Sequence, residues 1–456
     1  MDIETATIEK LDPAVLAREL LPQHVADNVV TLNQLDNDVA AAVLAQLPAE
    51  RAVEILDQPE LDFAPDLVEL LPPDQASRLL AAMSADRAAD IFRQLHDPER
   101  GELLGRLDAE TRASIERLLV YPPNTAGSIM TTEFVSVPST WTVAQTLEYI
   151  RHVERTRETV YAIYILDPAT RRLVQMVPLR RLIAAEPEAS ILSACRAHEP
   201  ITVSPLTDQE DVGRLFRKYD LLAVPVVDNV GHVLGIVTVD DAIDAMLEES
   251  NEDVQKFGGM EAIGEPYMQI SFGQMIRKRA GWLCALFLSE MLTASAMQHF
   301  ESELEKAIVL TLFIPLIMSS GGNSGSQATS LLIRSLALQE IKLSDWWRVA
   351  LRELPTGIML GAILGVIGIL RITLWQRLGL FDYGPHWELV ALTVGAALVG
   401  IVTFGSLAGS MLPFILQRLG FDPASASAPF VATLVDVTGL VIYFSVALAI
   451  LSGTLL

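Results

Sequence analysis

Asp436 is a carboxylate set inside one of the most apolar stretches of this 456-residue chain, Ala432-Thr-Leu-Val-Asp-Val-Thr-Gly439, where Thr433 and Gly439 add small and polar surface around it. A charge near a bilayer centre costs at least ~2.5–3.5 kcal/mol on insertion scales, so such a group usually faces a partner or water. Glu290 poses the same problem in another apolar stretch, and Asp422 lies just before the one that holds Asp436. A third stretch carries Pro315-Leu-Ile-Met-Ser-Ser-Gly-Gly-Asn-Ser-Gly-Ser-Gln327, in which Pro315, Gly321, Gly322, Asn323 and Gln327 are hard to place against lipid. A backbone break at that depth is tolerated only where protein covers it or water reaches it. These residues suit a pathway for a polar solute beside a broken helix. Two plainer readings stand next to it: Gly and Ser at a close helix contact, and helix-to-helix hydrogen bonds from Asp436 or Glu290.

The available donors are oxygens. Carboxylates, carbonyls and water suit Mg²⁺, Ca²⁺ and Mn²⁺, while the seven His are scattered and Cys195 and Cys284 form no disulfide framework or metal-ligand spacing. Mg²⁺ dehydrates reluctantly, so one carboxylate per subunit plus carbonyls would hold it hydrated. A second acidic group lies upstream: Asp240, Asp241, Asp244, Glu248, Glu249, Glu252 and Asp253. On a helix Asp241, Asp244, Glu248 and Glu252 fall at spacings of three and four and form one stripe. Like charges so spaced repel unless a cation sits among them, the plain alternative being a solvated face.

The elements that must position these groups divide into two unlike halves. Residues 1–270 carry 46 Asp+Glu and 22 Lys+Arg, whereas residues 271–456 carry 11 of each, so the whole net charge of −24 belongs to the first half. That acidity disfavours nucleic acid and anionic lipid and suits a protein that meets cations. From Gly281 onward, apolar runs recur at about 281–300, 306–333, 354–376, 387–416 and 427–455, each near or above the ~20 residues a bilayer requires. Arg277, Lys278 and Arg279 precede the first; Arg334, Lys342, Arg348 and Arg352 lie between the second and third; Arg418 follows the fourth. The positive-inside bias places the N-terminal half in the cytosol and Leu456 outside, with Trp346 and Trp347 as interfacial anchors. Acidic residues follow Met1 and no apolar core segment, which predicts no signal peptide.

Two repeats organise the acidic half. Leu71-Pro-Pro-Asp74, Met83-Ser-Ala-Asp86, Leu95-His-Asp-Pro98 and Leu107-Asp-Ala-Glu110 begin twelve residues apart, with Leu47-Pro-Ala-Glu50 upstream. Each opens as helices do and continues into an Ala/Leu-rich turn or two, which predicts a superhelix of short helices. Further on, Glu133-Phe-Val-Ser-Val-Pro138 matches Glu199-Pro-Ile-Thr-Val-Ser204, and Tyr161-Ala-Ile-Tyr-Ile-Leu-Asp167 matches Leu222-Ala-Val-Pro-Val-Val-Asp228. Each copy reads as strand, helix, two strands, helix. That order, closing on Gly235-Ile-Val-Thr-Val-Asp-Asp-Ala-Ile243, resembles a tandem CBS pair. Such pairs dimerise and sense ligands, and their nucleotide signature survives in the second copy as Thr238 and Asp241. The first copy has Pro178 and Arg181 instead.

Taken in order, the short-helix module, the CBS pair, the acidic connecting helix, the five spans, the Pro315–Gln327 run and Asp436 resemble the MgtE family of magnesium channels. The resemblance implies a multidomain membrane protein: an all-α superhelical N-domain (1–128), α+β CBS copies (129–195 and 196–247), a connecting helix (248–275) and a five-helix transmembrane bundle (276–456). It implies a homodimeric, non-enzymatic Mg²⁺ channel of the plasma membrane. Its pore would lie between second and fifth spans, with Asp436 from both chains holding hydrated Mg²⁺, the Ala432 carbonyl near the ion and Asp422 at the cytosolic mouth. Carried over as sensing carboxylates are Asp208, Glu210, Asp220, Asp241, Asp244, Glu249, Glu252 and Asp253. Family members often have Asn where this chain has Ala428. ATP at the CBS pair, through Thr238 and Asp241, is the one cofactor implied beside Mg²⁺.

In the expected mechanism Mg²⁺ bridges these carboxylates and holds the connecting helix, about 246–270, against the pore mouth; at low Mg²⁺ they repel and release it. No P-loop pattern is present, in keeping with flux driven by the membrane potential. The rivals are a proton- or Na⁺-coupled transporter working through Glu290 or Asp436, and a nucleotide-sensing membrane receptor without transport.

Overall fold

The computed structural model describes residues 12–153, 159–264, 267 and 270–455. The chain divides into two compact units, residues 1–249 and 250–456.

Helices of six to eleven residues are marginal alone and stand only by packing. The first unit meets that demand with a strict period. Its helices begin at Pro13, Val25, Asn37, Ala49, Pro73, Ala85, Asp97 and Ala109, so the twelve-residue repeat extends further upstream than the motifs first suggest. Two residues before most of these starts lies one apolar anchor, Leu35, Leu47, Leu71, Met83, Leu95 or Leu107, and all six are buried. One helix, Ala64–Leu70, is out of step, entered through Phe63 in the left-handed region at φ 55°. The loop before it is tied down by Asn33, whose Nδ2 donates to the Glu60 carbonyl (2.8 Å) and whose Oδ1 accepts from Asp62 N (3.0 Å).

The CBS copies share one pattern. In the first, β1 (Val135–Pro138) runs parallel to β2 (Ala162–Leu166), which pairs antiparallel with β3 (Leu173–Pro178). In the second, β4 (Ala223–Val227) pairs antiparallel with β5 (Val233–Thr238), and the parallel partner shrinks to a single bridge, Val203 to Val226. Ala162 lies opposite Pro178 as Ala223 lies opposite Thr238, so the register equates Pro178 with Thr238. After β5 one helix, Val239–Phe257, runs without a break across the boundary expected at 247/248. We call it the connecting helix.

Among the described residues, the second unit holds five helices long and apolar enough to cross a membrane: Phe272–His299, Ile308–Ala337, Leu343–Arg377, Trp387–Arg418 and Ala428–Leu451. We call these the first to fifth spans. The fourth is the hub, with Val390, Val394, Ala397, Ile401 and Val402 buried. Among the described residues Thr293 is the one buried residue of the first span. Gly357, Gly361 and Gly365 seat the third span on the fourth; a Cβ at Gly361 would lie 2.6 Å from Val399 Cα.

The expected interruption of the second span is not where the glycines are. Ile314–Ala337 is one α-helix through Gly321, Gly322 and Gly325, and the irregular backbone comes earlier, as the 3₁₀ turn Ile308–Phe313 before Pro315. Unpaired N–H and C=O groups are too costly at membrane depth to let glycine unwind a helix that can keep its own hydrogen bonds. The glycines serve proximity instead. A Cβ at Gly321 would lie 2.5 Å from Ile401 Cγ2, and one at Gly405 would lie 2.4 Å from the Gly321 carbonyl oxygen. At the 3₁₀ turn, the buried Tyr443 hydroxyl donates to the Leu310 carbonyl (2.9 Å), satisfying the backbone where helix geometry is lost.

Candidate functional site

The second and fifth spans pack on each other along the glycine face. A methyl at Gly322 would meet Ala432 Cβ at 3.4 Å, and one at Gly325 would meet Val431 Cγ1 at 2.7 Å. Hydroxyls tie the second span to both neighbours: Ser326 Oγ reaches the Ala428 carbonyl of the fifth span (3.4 Å), while Ser324 and Ser406 hydrogen-bond at 2.7 Å and Thr329 Oγ1 donates to the Gly409 carbonyl (2.9 Å) across to the fourth. Gly321 and Gly322 are therefore buried contact residues. Pro315, Ser319, Asn323 and Gln327 instead recur every four residues on an exposed face, with Asn323 Nδ2 donating to Ser319 Oγ (3.4 Å). A polar stripe of this length inside a span fits water or a second protein surface and does not fit lipid.

Asp436 lies one turn beyond Ala432, about 12 Å along the fifth span from its start. It is half-buried and, among the described residues, has no hydrogen-bond or ion-pair partner. A carboxylate left unsatisfied at this depth is what a hydrated cation would complete.

Asp422 is held at the entrance to the same span. Its Oδ1 accepts from Ala424 N (2.8 Å), and its Oδ2 accepts from Lys256 Nζ (2.7 Å), which also reaches Glu252 Oε1 (2.6 Å). Burial works against the Lys256 charge, but the hydrogen bonds to Asp422 and Glu252 outweigh it and raise the ammonium above its ordinary range.

The acidic stripe of the connecting helix meets the N-domain within the first unit. Burial pushes the Asp244 carboxyl up, Glu60 and Asp240 push it further, and Arg87 pulls it back. Burial likewise raises Asp90 of the helix Ala85–Gln94; Arg93 and Arg87 oppose this, and Glu248 adds to it. Arg87 is fixed by donating Nε to the Leu56 carbonyl (3.2 Å) and Nη2 to the Gln58 carbonyl (3.0 Å). Glu60, Asp90, Arg87 and Lys256 were not singled out in the sequence. The available signals were the i,i+4 spacing of Asp86 and Asp90 in a helix that must bury one face, and Lys256 four residues after Glu252.

Asp241 is pushed up to about 6 by burial, although the Thr238 hydroxyl and N–H donate to it and pull it down. Thr238 and Asp241 thus already engage each other at the position where a nucleotide would compete for them. Asp208 caps the helix Gln209–Tyr219, its carboxylate accepting from Glu210 N (2.8 Å), while Asp220 follows the other end in the left-handed region at φ 50°. The two lie about 16 Å apart along the helix and cannot share an ion within one chain. Glu210, raised by burial against the pull of Arg214, is ion-paired to that arginine. Glu249 and Asp253 are half-buried on the connecting helix. Among the described residues, no three of His, Cys, Asp and Glu converge closely enough to hold a metal ion. All the donors present are hard oxygens, the right kind for Mg²⁺, and a closed site would need water or donors from a further chain.

Comparison with known proteins covers both units. Residues 314–446 match the MgtE divalent cation transporter domain, residues 23–124 the MgtE intracellular N domain, and residues 192–248 the CBS domain. The chain is 39% identical over 338 residues to the magnesium transporter MgtE of Thermus thermophilus, spanning 74% of this chain and 72% of that protein. It is 37% identical over 334 residues to the magnesium transporter MgtE of Enterococcus faecalis, spanning 73% and 70%. A crystal structure of the cytosolic domain of the Mg²⁺ channel MgtE in complex with ATP shares 33% identity over 53% of this chain and 92% of that one, at a TM-score of 0.39.

Proposed function

Because this chain belongs to the MgtE family, whose relatives of similar sequence are magnesium transporters, we propose that it is a Mg²⁺ channel closed by its own cytosolic carboxylates. It is a multi-pass membrane protein that moves Mg²⁺; the finer reading is that it does so as a homodimer, passively, with the N-terminal half in the cytosol and Leu456 outside. The observation that carries this is Asp436, half-buried and, among the described residues, without a hydrogen-bond or ion-pair partner, beside the span that bears Ser319, Asn323 and Gln327. Two such chains facing each other would offer two carboxylates and two polar stripes to a hydrated divalent ion. The glycine seam fixes the second span against Ala432, so the stripe and the carboxylate keep a constant relation.

The membrane potential suffices as the driving force, since a divalent ion crossing 100 mV gains about twice ~2.3 kcal/mol. Closure is assigned to the carboxylates around Asp244 and Glu248 and, from the N-domain, Glu60 and Asp90. Their mutual repulsion favours separation, and Mg²⁺ among them removes it. A nucleotide would engage Thr238 and Asp241 of the second CBS copy, since Pro178 and Arg181 offer nothing equivalent in the first.

Asp436→Ala in proteoliposomes should abolish Mg²⁺ flux while the purified protein keeps the wild-type oligomeric state. Wild-type flux in that variant removes the pore assignment. Glu290, a second carboxylate inside a span, is the observation that favours a proton-coupled transporter instead. Reversal potentials that track Mg²⁺ alone, at every pH and Na⁺ concentration tested, eliminate that reading.

A further inference from the structure

Within the second unit, the end of the connecting helix is fastened to the spans by more than apolar contact. Lys256 Nζ bridges Glu252 on its own helix (2.6 Å) and Asp422 before the fifth span (2.7 Å). Three residues on, Gly259 turns at φ +75° and lies so close to the spans that a Cβ there would meet Trp282 Nε1 at 2.8 Å and Pro429 Cγ at 3.3 Å. Trp282 Nε1 donates to Ser427 Oγ (3.1 Å), the hydroxyl that caps the fifth span through Phe430 N (3.3 Å). Lys278 Nζ donates to the Ala262 carbonyl (2.7 Å), and Glu261 N donates to the Lys278 carbonyl (3.2 Å). Residues 256–262 therefore grip the entrances of the first and fifth spans at several independent points.

Glu252 and Asp422 are two of the carboxylates assigned to cation binding, yet a side chain of the protein already supplies their positive charge. We propose that Lys256 is the resident cation of this pair, a latch that holds the connecting helix at the pore mouth without a divalent ion. This rests on the reading of the chain as a channel closed by cytosolic Mg²⁺. It adds that closure at the mouth is paid for in advance by an ammonium, so that Mg²⁺ is needed only at the upstream carboxylates. A lysine suits this role, because its compact charge reaches two carboxylates from one stem and its occupancy does not vary with Mg²⁺. Removing it leaves two carboxylates facing each other, which weakens closure when Mg²⁺ is scarce.

The test uses the full-length protein in two assays. In proteoliposomes, the Mg²⁺ concentration at the cytosolic face that halves the flux should rise about tenfold in Lys256→Gln. Asp422→Asn should rise by a similar factor, the double variant should be no worse than either single one, and Lys256→Arg should stay within about threefold of wild type. In the second assay, chymotrypsin cleavage at Phe257 in EDTA should be several-fold faster in Lys256→Gln than in wild type, because the latch holds without divalent ions. A fall in the half-inhibiting concentration of Lys256→Gln would show that the lysine competes with Mg²⁺, and this overturns the proposal. So do unchanged inhibition and equal cleavage in EDTA. If wild type itself carries no Mg²⁺, the channel reading fails, and the cleavage rates still decide whether the latch exists.

Discussion

Gly409→Ala should loosen the bundle and misplace the polar stripe. The added Cβ would sit 2.2 Å from the Gly325 carbonyl oxygen and 2.8 Å from its carbon, both backbone atoms that no rotamer change can move. Ordinary contact begins near 3.4 Å, so the second and fourth spans must part by about 1 Å. The second span cannot retreat toward the fifth, because Gly321 and Gly325 already touch Val435 and Val431 there. The free direction is the exposed face that carries Ser319, Asn323 and Gln327. Separation also stretches the bond from Thr329 Oγ1 to the Gly409 carbonyl, now 2.9 Å. Overpacking of this kind costs ~1–3 kcal/mol, and each kcal/mol lowers the melting temperature of a unit this size by roughly 2–4 °C. Thermal unfolding in detergent should therefore drop by several degrees, and Mg²⁺ uptake at low cytosolic Mg²⁺ should fall several-fold. Gly368→Ala is the matched control, since its Cβ would meet only the side-chain atoms Leu398 Cδ1 (3.3 Å) and Val394 Cγ1 (3.5 Å). If Gly409→Ala melts and conducts like Gly368→Ala, the glycines are not there for proximity and the argument fails.

Asp241 gives a pH dependence with a definite sign. Its folded pKa of about 6 lies above the ordinary 3.8, so the fold favours the protonated form. That advantage is complete below pH 4 and lost as pH rises through 6. At neutral pH the ionised group carries a penalty of up to ~3 kcal/mol. Asp241→Asn should therefore match wild type near pH 4 and be more stable above pH 6, read as melting temperature in EDTA; a gain that does not change with pH contradicts the burial argument. Tyr443→Phe should cost ~1–3 kcal/mol by leaving the Leu310 carbonyl without its donor. Its melting temperature should fall while the half-inhibiting Mg²⁺ stays put, and a shift in inhibition would mean that the turn takes part in closure.

What was legible in the sequence was local. The spans follow from apolar length, and the CBS copies from matched strand motifs that the register repeats pair for pair, Ala162 with Pro178 and Ala223 with Thr238. The twelve-residue period follows from one buried anchor per short helix. What was illegible depended on residues far along the chain. Gly321 and Gly325 look like helix breakers until Gly405 and Gly409, some eighty residues on, present their backbones at contact distance. Lys256 and Asp422 are 166 residues apart, and neither carries a local sign of the other. Asp90 and Glu60 read as surface charge on short amphipathic helices until the connecting helix brings Glu248 and Asp244 near them.

The two fixed cations bear on how steeply such a channel can respond. A ligand shifts an equilibrium only by its differential affinity for the two states, and moving a population from 1:99 to 99:1 takes ~5.5 kcal/mol. If each Mg²⁺ prefers the closed arrangement about tenfold, contributing ~1.4 kcal/mol, roughly four ions per gating unit are required. Arg87 among Asp90, Glu60 and Asp244, and Lys256 between Glu252 and Asp422, contribute at every Mg²⁺ concentration. A constant contribution moves the midpoint of inhibition and leaves its slope unchanged, because the slope counts only the ions that come and go. The lysine latch therefore sets where the channel closes, and the carboxylates that take up Mg²⁺ set how sharply. On this argument the Lys256→Gln titration should be displaced along the concentration axis and parallel to wild type; a flattened curve would mean that Lys256 and the upstream carboxylates do not act independently.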